Sequence, residues 1–250
     1  MKLALPLALV FAGAMPAFAQ DTAVSGISSI SFDVGLGAIS RPKYYGADET
    51  HVEAWGTVRD LEISGFGGRS SEDNGFSILP NLNTIGPREE DDDDHLRGMD
   101  DISRAYEAGV KVAYHYGETT GYATVRKGFG GHHGVVGEFG ADYRFKPAER
   151  WTMWVGAEAK YGDSKFNDTY FGVTEGESVT SGYDEYKPGG GINAASARFE
   201  ARYSLTDSTA VIGEVKYTRL LGDSADSPLV EKKSQPSIRL GVIHRLNFNF

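Results

Sequence analysis

From Tyr106 to Tyr116 apolar and polar positions alternate. Tyr106, Ala108, Val110, Val112, Tyr114 and Tyr116 share one parity; Glu107, Gly109, Lys111, Ala113 and His115 share the other. A period of two places these sets on opposite faces of an extended strand. The signature recurs where Val135, Gly137, Phe139, Ala141, Tyr143 and Phe145 oppose Glu138, Asp142 and Arg144. It recurs again over Trp151–Tyr161, Ala195–Tyr203 and Val211–Tyr217, and no comparable helical period appears. Lys146–Arg150, Gly117–Thr119 and Leu205–Ser208 are short turn-like connectors. Longer polar stretches, Arg88–Ser103 and Gly162–Gly190, separate other runs.

A soluble β-sandwich also alternates, so the period alone does not choose a solvent. Run length and run ends do. Several runs hold about ten to twelve residues, the span of a tilted transmembrane strand, and their aromatics sit at the ends, where bilayer interfaces would lie. At the C-terminus Leu240, Val242, Leu246, Phe248 and Phe250 share one face, interrupted by His244. Such a strand ending on an aromatic is similar to the signal by which bacterial outer-membrane barrels are recognised for insertion. The expected fold is all-β: an antiparallel up-and-down transmembrane β-barrel of about 10–12 strands in the outer membrane.

The strand count stays open at two places. Val52–Phe66 fits one long strand or a hairpin bending at Arg59 and Asp60, and Phe171–Val173 either pairs or does not. Without pairing near Phe171, counting back from Phe250 puts Arg88–Ser103 outside the cell. With pairing there, the segment falls in the periplasm.

If the apolar parity faces lipid, the interior receives Glu107, Lys111, His115, Glu138, Asp142, Arg144, Glu158 and Lys160. From the later runs it receives Arg198, Glu200, Arg202, Glu214, Lys216, Arg239 and Arg245, with Trp154, Ile212 and Ile243 on the same face. Opposite charges across a narrow lumen can pair, which offsets their desolvation. The expectation is a plugged or very narrow interior.

Composition removes several alternatives. Hydrophobic residues make up 40% of the 250, and the mean hydropathy is −0.35, which excludes a bundle of membrane-spanning helices. The 32 glycines and 12% aromatics suit a turn-rich sheet. Without cysteine there is no disulfide, no thiol nucleophile and no Cys-based zinc site. A net charge of −10 and a pI of about 5.1 argue against a nucleic-acid partner. Residues 1–19 are expected to be a signal peptide: Met1 and Lys2, an apolar stretch from Leu3 to Ala14, and Ala17-Phe18-Ala19 for cleavage. Pro6 and Pro16 interrupt a run too short to serve as an anchor helix. Residues 20–250 then form the barrel, with short turns and longer polar loops.

Candidate chemistry is sparse. Glu89–Asp94 offers six consecutive carboxylates that could hold Ca²⁺ or Mg²⁺ against lipopolysaccharide phosphates, but it lacks the glycine and spacing of a calcium loop. A solvated loop is the simpler expectation. His132 and His133 with Glu138 suggest a metal or a general base, yet neighbours on a strand point to opposite faces. A Gly-flanked hairpin loop accounts for them. The clusters Gly65–Gly68, Gly128–Gly134 and Gly189–Gly191 precede neither a helix pattern nor Lys-Ser/Thr, so they are turns or close strand contacts. His51, His95, His115, His132, His133 and His244 lie in no nucleophile motif. No catalytic, cofactor-binding or metal-ligating residue is assigned, and no cofactor is expected.

Three segments remain. Gly86–Gly98 reads GPREEDDDDHLRG, Thr169–Ser181 reads TYFGVTEGESVTS, followed by Gly182, Tyr186 and Gly191, and Tyr217–Val230 reads YTRLLGDSADSPLV ahead of the terminal strand. In this order they resemble the MltA-interacting protein (MipA/OmpV) family of Gram-negative outer-membrane proteins, most strongly from about Gly86 onward. Asn247-Phe248-Asn249-Phe250 stands where the family often carries a Tyr. The resemblance implies a non-enzymatic outer-membrane scaffold joining a lytic transglycosylase to a murein synthase, embedded among outer-membrane lipid and lipopolysaccharide. A small porin or adhesin and an outer-membrane hydrolase are the alternatives.

Overall fold

The computed structural model describes residues 28–64 and 74–250. The expected signal peptide and the Gly65–Gly68 cluster lie outside the described residues. Ten antiparallel strands make up most of the described residues. They are β1 (Ser29–Pro42), β2 (Thr50–Ser64), β3 (Gly75–Ile85), β4 (Ala105–Tyr116) and β5 (Thr119–Gly130). Then come β6 (Val135–Ala148), β7 (Trp151–Gly162), β8 (Gly191–Ser204), β9 (Thr209–Leu220) and β10 (Ser234–Asn249). They form one sheet in the order β2-β1-β10-β9-β8-β7-β6-β5-β4-β3. The β1–β10 ladder, from Ser29↔Asn249 to Ser40↔Ile238, joins the two ends of the chain and curls the sheet into an up-and-down barrel. The consecutive strands β2 and β3 form its two margins.

Both open points in the strand count are resolved. Thr50–Ser64 is one strand carrying a bulge: its register against β1 steps between Ser31 and Asp33, and Asp60 takes a positive φ of 53°. The bend foreseen at Arg59 and Asp60 is therefore an extra residue in a continuous strand. Phe171 closes a helix, and Val173 makes only an isolated bridge with Tyr186. With ten strands, the short turns at 117–118, 149–150 and 205–208 share the end that holds the termini. The connectors 43–49, 86–104, 131–134, 163–190 and 221–233 share the opposite end. The acidic segment therefore lies at the end with the longer connectors, opposite the termini.

Connector 163–190 contains two short helices, α1 (Ser164–Phe171) and α2 (Glu175–Ser181). The Asp163 carboxylate accepts the Phe166 N–H at 2.9 Å and starts α1. Thr174 and Glu177 form a capping box at α2, and Gly182, with φ of 81°, ends it. A four-residue turn of helix, α3 (Gly222–Ala225), follows β9. These elements are shorter than the window in which a helical period shows.

Candidate functional site

The outer wall follows the parity read from the sequence. Val110, Val125, Phe139, Val155, Phe199, Val215 and Leu240 face outward and are exposed. Tyr106, Tyr116, Tyr143, Trp151, Tyr161 and Tyr217 lie nearer the strand ends on the same surface. A continuous apolar belt of this size between aromatic girdles is stable only against hydrocarbon. The protein is an outer-membrane β-barrel.

The lumen is filled by ion pairs that cross between strands. Arg126 of β5 donates to Glu107 of β4 and to Glu138 of β6, each at 2.8 Å. Lys216 meets Glu158 at 2.5 Å, and the Tyr122 hydroxyl donates to the same carboxylate at 2.9 Å. Arg198 holds Asp142 through two nitrogens, at 2.6 and 3.2 Å. Nearer the termini, fully buried Glu200 accepts from Arg59 at 2.8 Å and from Arg239 at 3.0 Å. Arg202 bridges Asp33 and Asp60, both at 3.0 Å. Glu200 on β8 reaches Arg59 on β2 only because the sheet is curled. Ile212 and Ile243 pack with Ala210 and Trp55 on this inner face, and Trp154 carries the Arg202 guanidinium at 5.4 Å. What remains between β3 and β9 is a cavity of about 330 Å³.

Above the ion pairs, the long connectors fold into the mouth and seal it. Phe166, Tyr170 and Phe171 of α1 pack on inward-facing Ile85, Ala105, Val136, Ala194 and Leu220 at the strand tips. Tyr45 from the first loop stands edge-on to Tyr170 with centroids 5.3 Å apart. Polar bonds lock the loops together. Tyr44 donates to Glu231 at 3.0 Å, Ser227 to the Phe171 carbonyl at 2.6 Å, and Tyr183 to the His95 carbonyl at 3.1 Å. Burial, followed by the Glu231 carboxylate, raises the pKa of the Tyr44 phenol above its usual value. Arg88 is buried and, among the described residues, donates to the Tyr170 and Asp100 carbonyls; its burial lowers the guanidinium pKa from its usual value.

The acidic run forms two 3₁₀ turns, Glu90–Asp92 and Asp94–Leu96, on the outer surface. Its carboxylates serve the loop itself: Asp92 accepts the Glu89 N–H, Glu90 accepts the Gly98 N–H, and Asp93 accepts the His95 N–H. Among the described residues, no group of three or more His, Asp or Glu is placed to hold a metal ion.

His132 and His133 do lie in a hairpin loop and do diverge. His133 is exposed, whereas His132 is 1% exposed. The Gly134 N–H donates to His132 Nδ1 at 3.2 Å, so Nε2 carries the proton and donates to Glu107 Oε1 at 3.2 Å. The ring also meets Phe166 edge-on at 5.1 Å, tying the lumen network to the cap. This link was missed because Glu107 is distant in sequence. The helices of the cap had a legible marker in Thr174-Glu175-Gly176-Glu177, a capping-box spacing.

Comparison with known proteins finds relatives by sequence and similar structures. Two curated relatives, the MltA-interacting proteins of Escherichia coli (strain K12) and Shigella flexneri, are 27% identical to this chain over 161 residues. The aligned stretch is 62% of this chain and 62% of each relative, so the chain matches under two thirds of their length. Among solved structures, an outer membrane channel from Pseudomonas putida F1 is similar at a TM-score of 0.46 and 12% identity, covering 94% of this chain and all of that one. The outer membrane protein OprG from Pseudomonas aeruginosa is similar at 0.30 and 8% identity, covering 90% of this chain and 99% of its own. The family model described as MltA-interacting protein MipA matches residues 34–246. This chain belongs to the MltA-interacting protein MipA family.

Proposed function

We propose that the protein is a non-enzymatic scaffold of the outer membrane that recruits a lytic transglycosylase, and with it a murein synthase, to the inner surface of that membrane. The observation that carries this reading is the filled interior. A mouth packed with aromatic side chains above a lumen of paired charges leaves little room for a wide aqueous channel, which disfavours a porin. Among the described residues the long connectors are bound to one another rather than free to reach a substrate or a host surface, and none of them pairs a nucleophile with a base. What remains for function is binding at the periplasmic rim. The curated relatives carry a partner in their names, which supports the same direction.

The test is recovery of partners by the tagged full chain from detergent-solubilised envelopes. Co-purification of a murein hydrolase, with or without a synthase, is the expected result. Recovery of neither overturns the proposal. In planar bilayers the purified barrel should give no large, regular conductance steps, and such steps would favour the porin alternative.

A further inference from the structure

A ten-stranded barrel can form ten strand pairs, and the described residues form nine. Among the described residues, β2 and β3 are not paired with each other. Each therefore presents a row of backbone N–H and C=O groups with no strand beside it. Hydrocarbon supplies no partners for such groups, so an edge left open inside a bilayer is costly and requires a polar occupant. Pro80 lies on β3, a residue tolerated in sheets at such edges because it has no N–H to give.

The lumen cavity reaches the β3 side of this interruption. Its lining includes Leu82, which faces outward and is 68% exposed, together with Asn81 and Asn83 on the same strand. Asn83 faces inward by parity yet is exposed. Behind them stand five cations. Arg126, Lys160, Arg198 and Lys216 are each ion-paired to a carboxylate. Among the described residues Lys111 has no carboxylate at ion-pair distance, and its ammonium lies 4.3 Å from the centroid of the Tyr122 ring. Beside the opening, Phe76, Ile78 and Leu82 project outward, each at least 67% exposed.

We propose that the gap between β2 and β3 is a lateral binding site for an anionic membrane glycerophospholipid. Its phosphate meets Lys111 in the cavity. Its ester and glycerol oxygens, with their waters, satisfy the open strand edges, while its acyl chains stay in the bilayer along Phe76, Ile78 and Leu82. The sign of the unmatched charge selects an anionic headgroup over a zwitterionic one. The apolar residues at the entrance select a lipid over a free phosphate. A second copy pairing edge to edge would satisfy the backbone but leave Lys111 unmatched. The site is independent of the scaffold reading, because it lies in the wall and not at the periplasmic rim.

The experiment is native mass spectrometry of the full processed chain in neutral detergent, offered phosphatidylglycerol, phosphatidylcholine or glycerol 3-phosphate. Phosphatidylglycerol should be retained in preference to both others. Lys111→Gln should weaken that retention roughly tenfold, the value of about one charge-assisted hydrogen bond. Lys111→Arg should restore it, and Lys187→Gln, in an outer loop, should not alter it. Removing Lys111 leaves no carboxylate unpaired, so the variant is expected to fold, as heat-resistant migration on gels would verify. Because the chain has no native cysteine, a benzophenone attached at Asn83→Cys reports the location by capturing the lipid. Equal retention of the two lipids, glycerol 3-phosphate binding as well as phosphatidylglycerol, or full retention by Lys111→Gln would each overturn the proposal. A lipid-free two-copy assembly would overturn it in favour of edge pairing.

Discussion

The mouth and the lumen of this barrel block the same axis by different physics. In the mouth, Phe166, Tyr170 and Phe171 with Ile102 and Leu220 exclude water by apolar packing. A few residues below, the space is held by guanidinium and ammonium groups interleaved with carboxylates. Loops fold out of water, so the hydrophobic effect can drive their collapse into the mouth. Strands in a bilayer receive no such drive toward their own interior, because hydrocarbon accepts an apolar side chain as readily as a core does. Charge on alternate residues decides which face turns inward, and a one-residue slip would place arginines in lipid. The lumen charges thus specify the wall, and the aromatic cluster specifies only the lid.

Breaking the lumen should therefore have the larger effect. Glu200→Ala removes the buried acceptor shared by Arg59 and Arg239 and should cost about 4 kcal/mol in urea unfolding from detergent micelles. Trp55, which lies 4.9 Å from the Arg239 guanidinium, is a natural fluorescence reporter. A loss below 1 kcal/mol would mean that water already solvates these charges, and the contrast between the two regions would collapse.

Damage to the lid should stay local. Leu229 is fully buried and packs with Met99 and Val173. Leu229→Ala should cost about 3 kcal/mol of lid stability through lost transfer energy and the cavity left behind. Protease added to intact cells should then cleave the long connectors of the variant faster than those of the parent, while the barrel keeps its heat-resistant mobility. Loss of that mobility would show that lid and wall unfold together.

The same division explains how much the sequence disclosed. The wall was legible because one alternation, repeated from Tyr106 to Tyr217, assigns every side chain a face. Parity identifies many of the inward charges, such as Glu107, Arg198 and Glu200, but not Arg126, Asp33, Arg59 or Asp60, and it does not give their pairing. Glu200 meets Arg59 across four strands, a contact fixed by curvature that no local pattern encodes. The lid was hidden because its packing residues are distributed singly: Leu96, Tyr170 and Leu229 belong to three different connectors. The acidic run drew attention by composition, and its carboxylates prove to cap their own loop. Neighbouring faces separate His132 from His133, and the bond from His132 to Glu107, 25 positions away, has no local signal.

The smallest effect tests the boundary between the regions most finely. The Thr174 hydroxyl accepts the Glu177 N–H at 3.2 Å, while the Glu177 carboxylate accepts the N–H groups of Thr174 at 2.8 Å and Asp100 at 3.1 Å. One cap therefore starts α2 and fastens it to the acidic connector. Thr174→Ala should cost about 1 kcal/mol, since Glu177 retains both of its donors. Amide exchange over 175–182 should quicken about fivefold, and Thr174→Ser should restore it. Amides of β4 and β7 should exchange as in the parent, because their ladders and ion pairs do not depend on α2. If exchange quickened along those strands too, the apolar lid and the charged wall would be one cooperative unit, held by the His132–Glu107 bond that joins them.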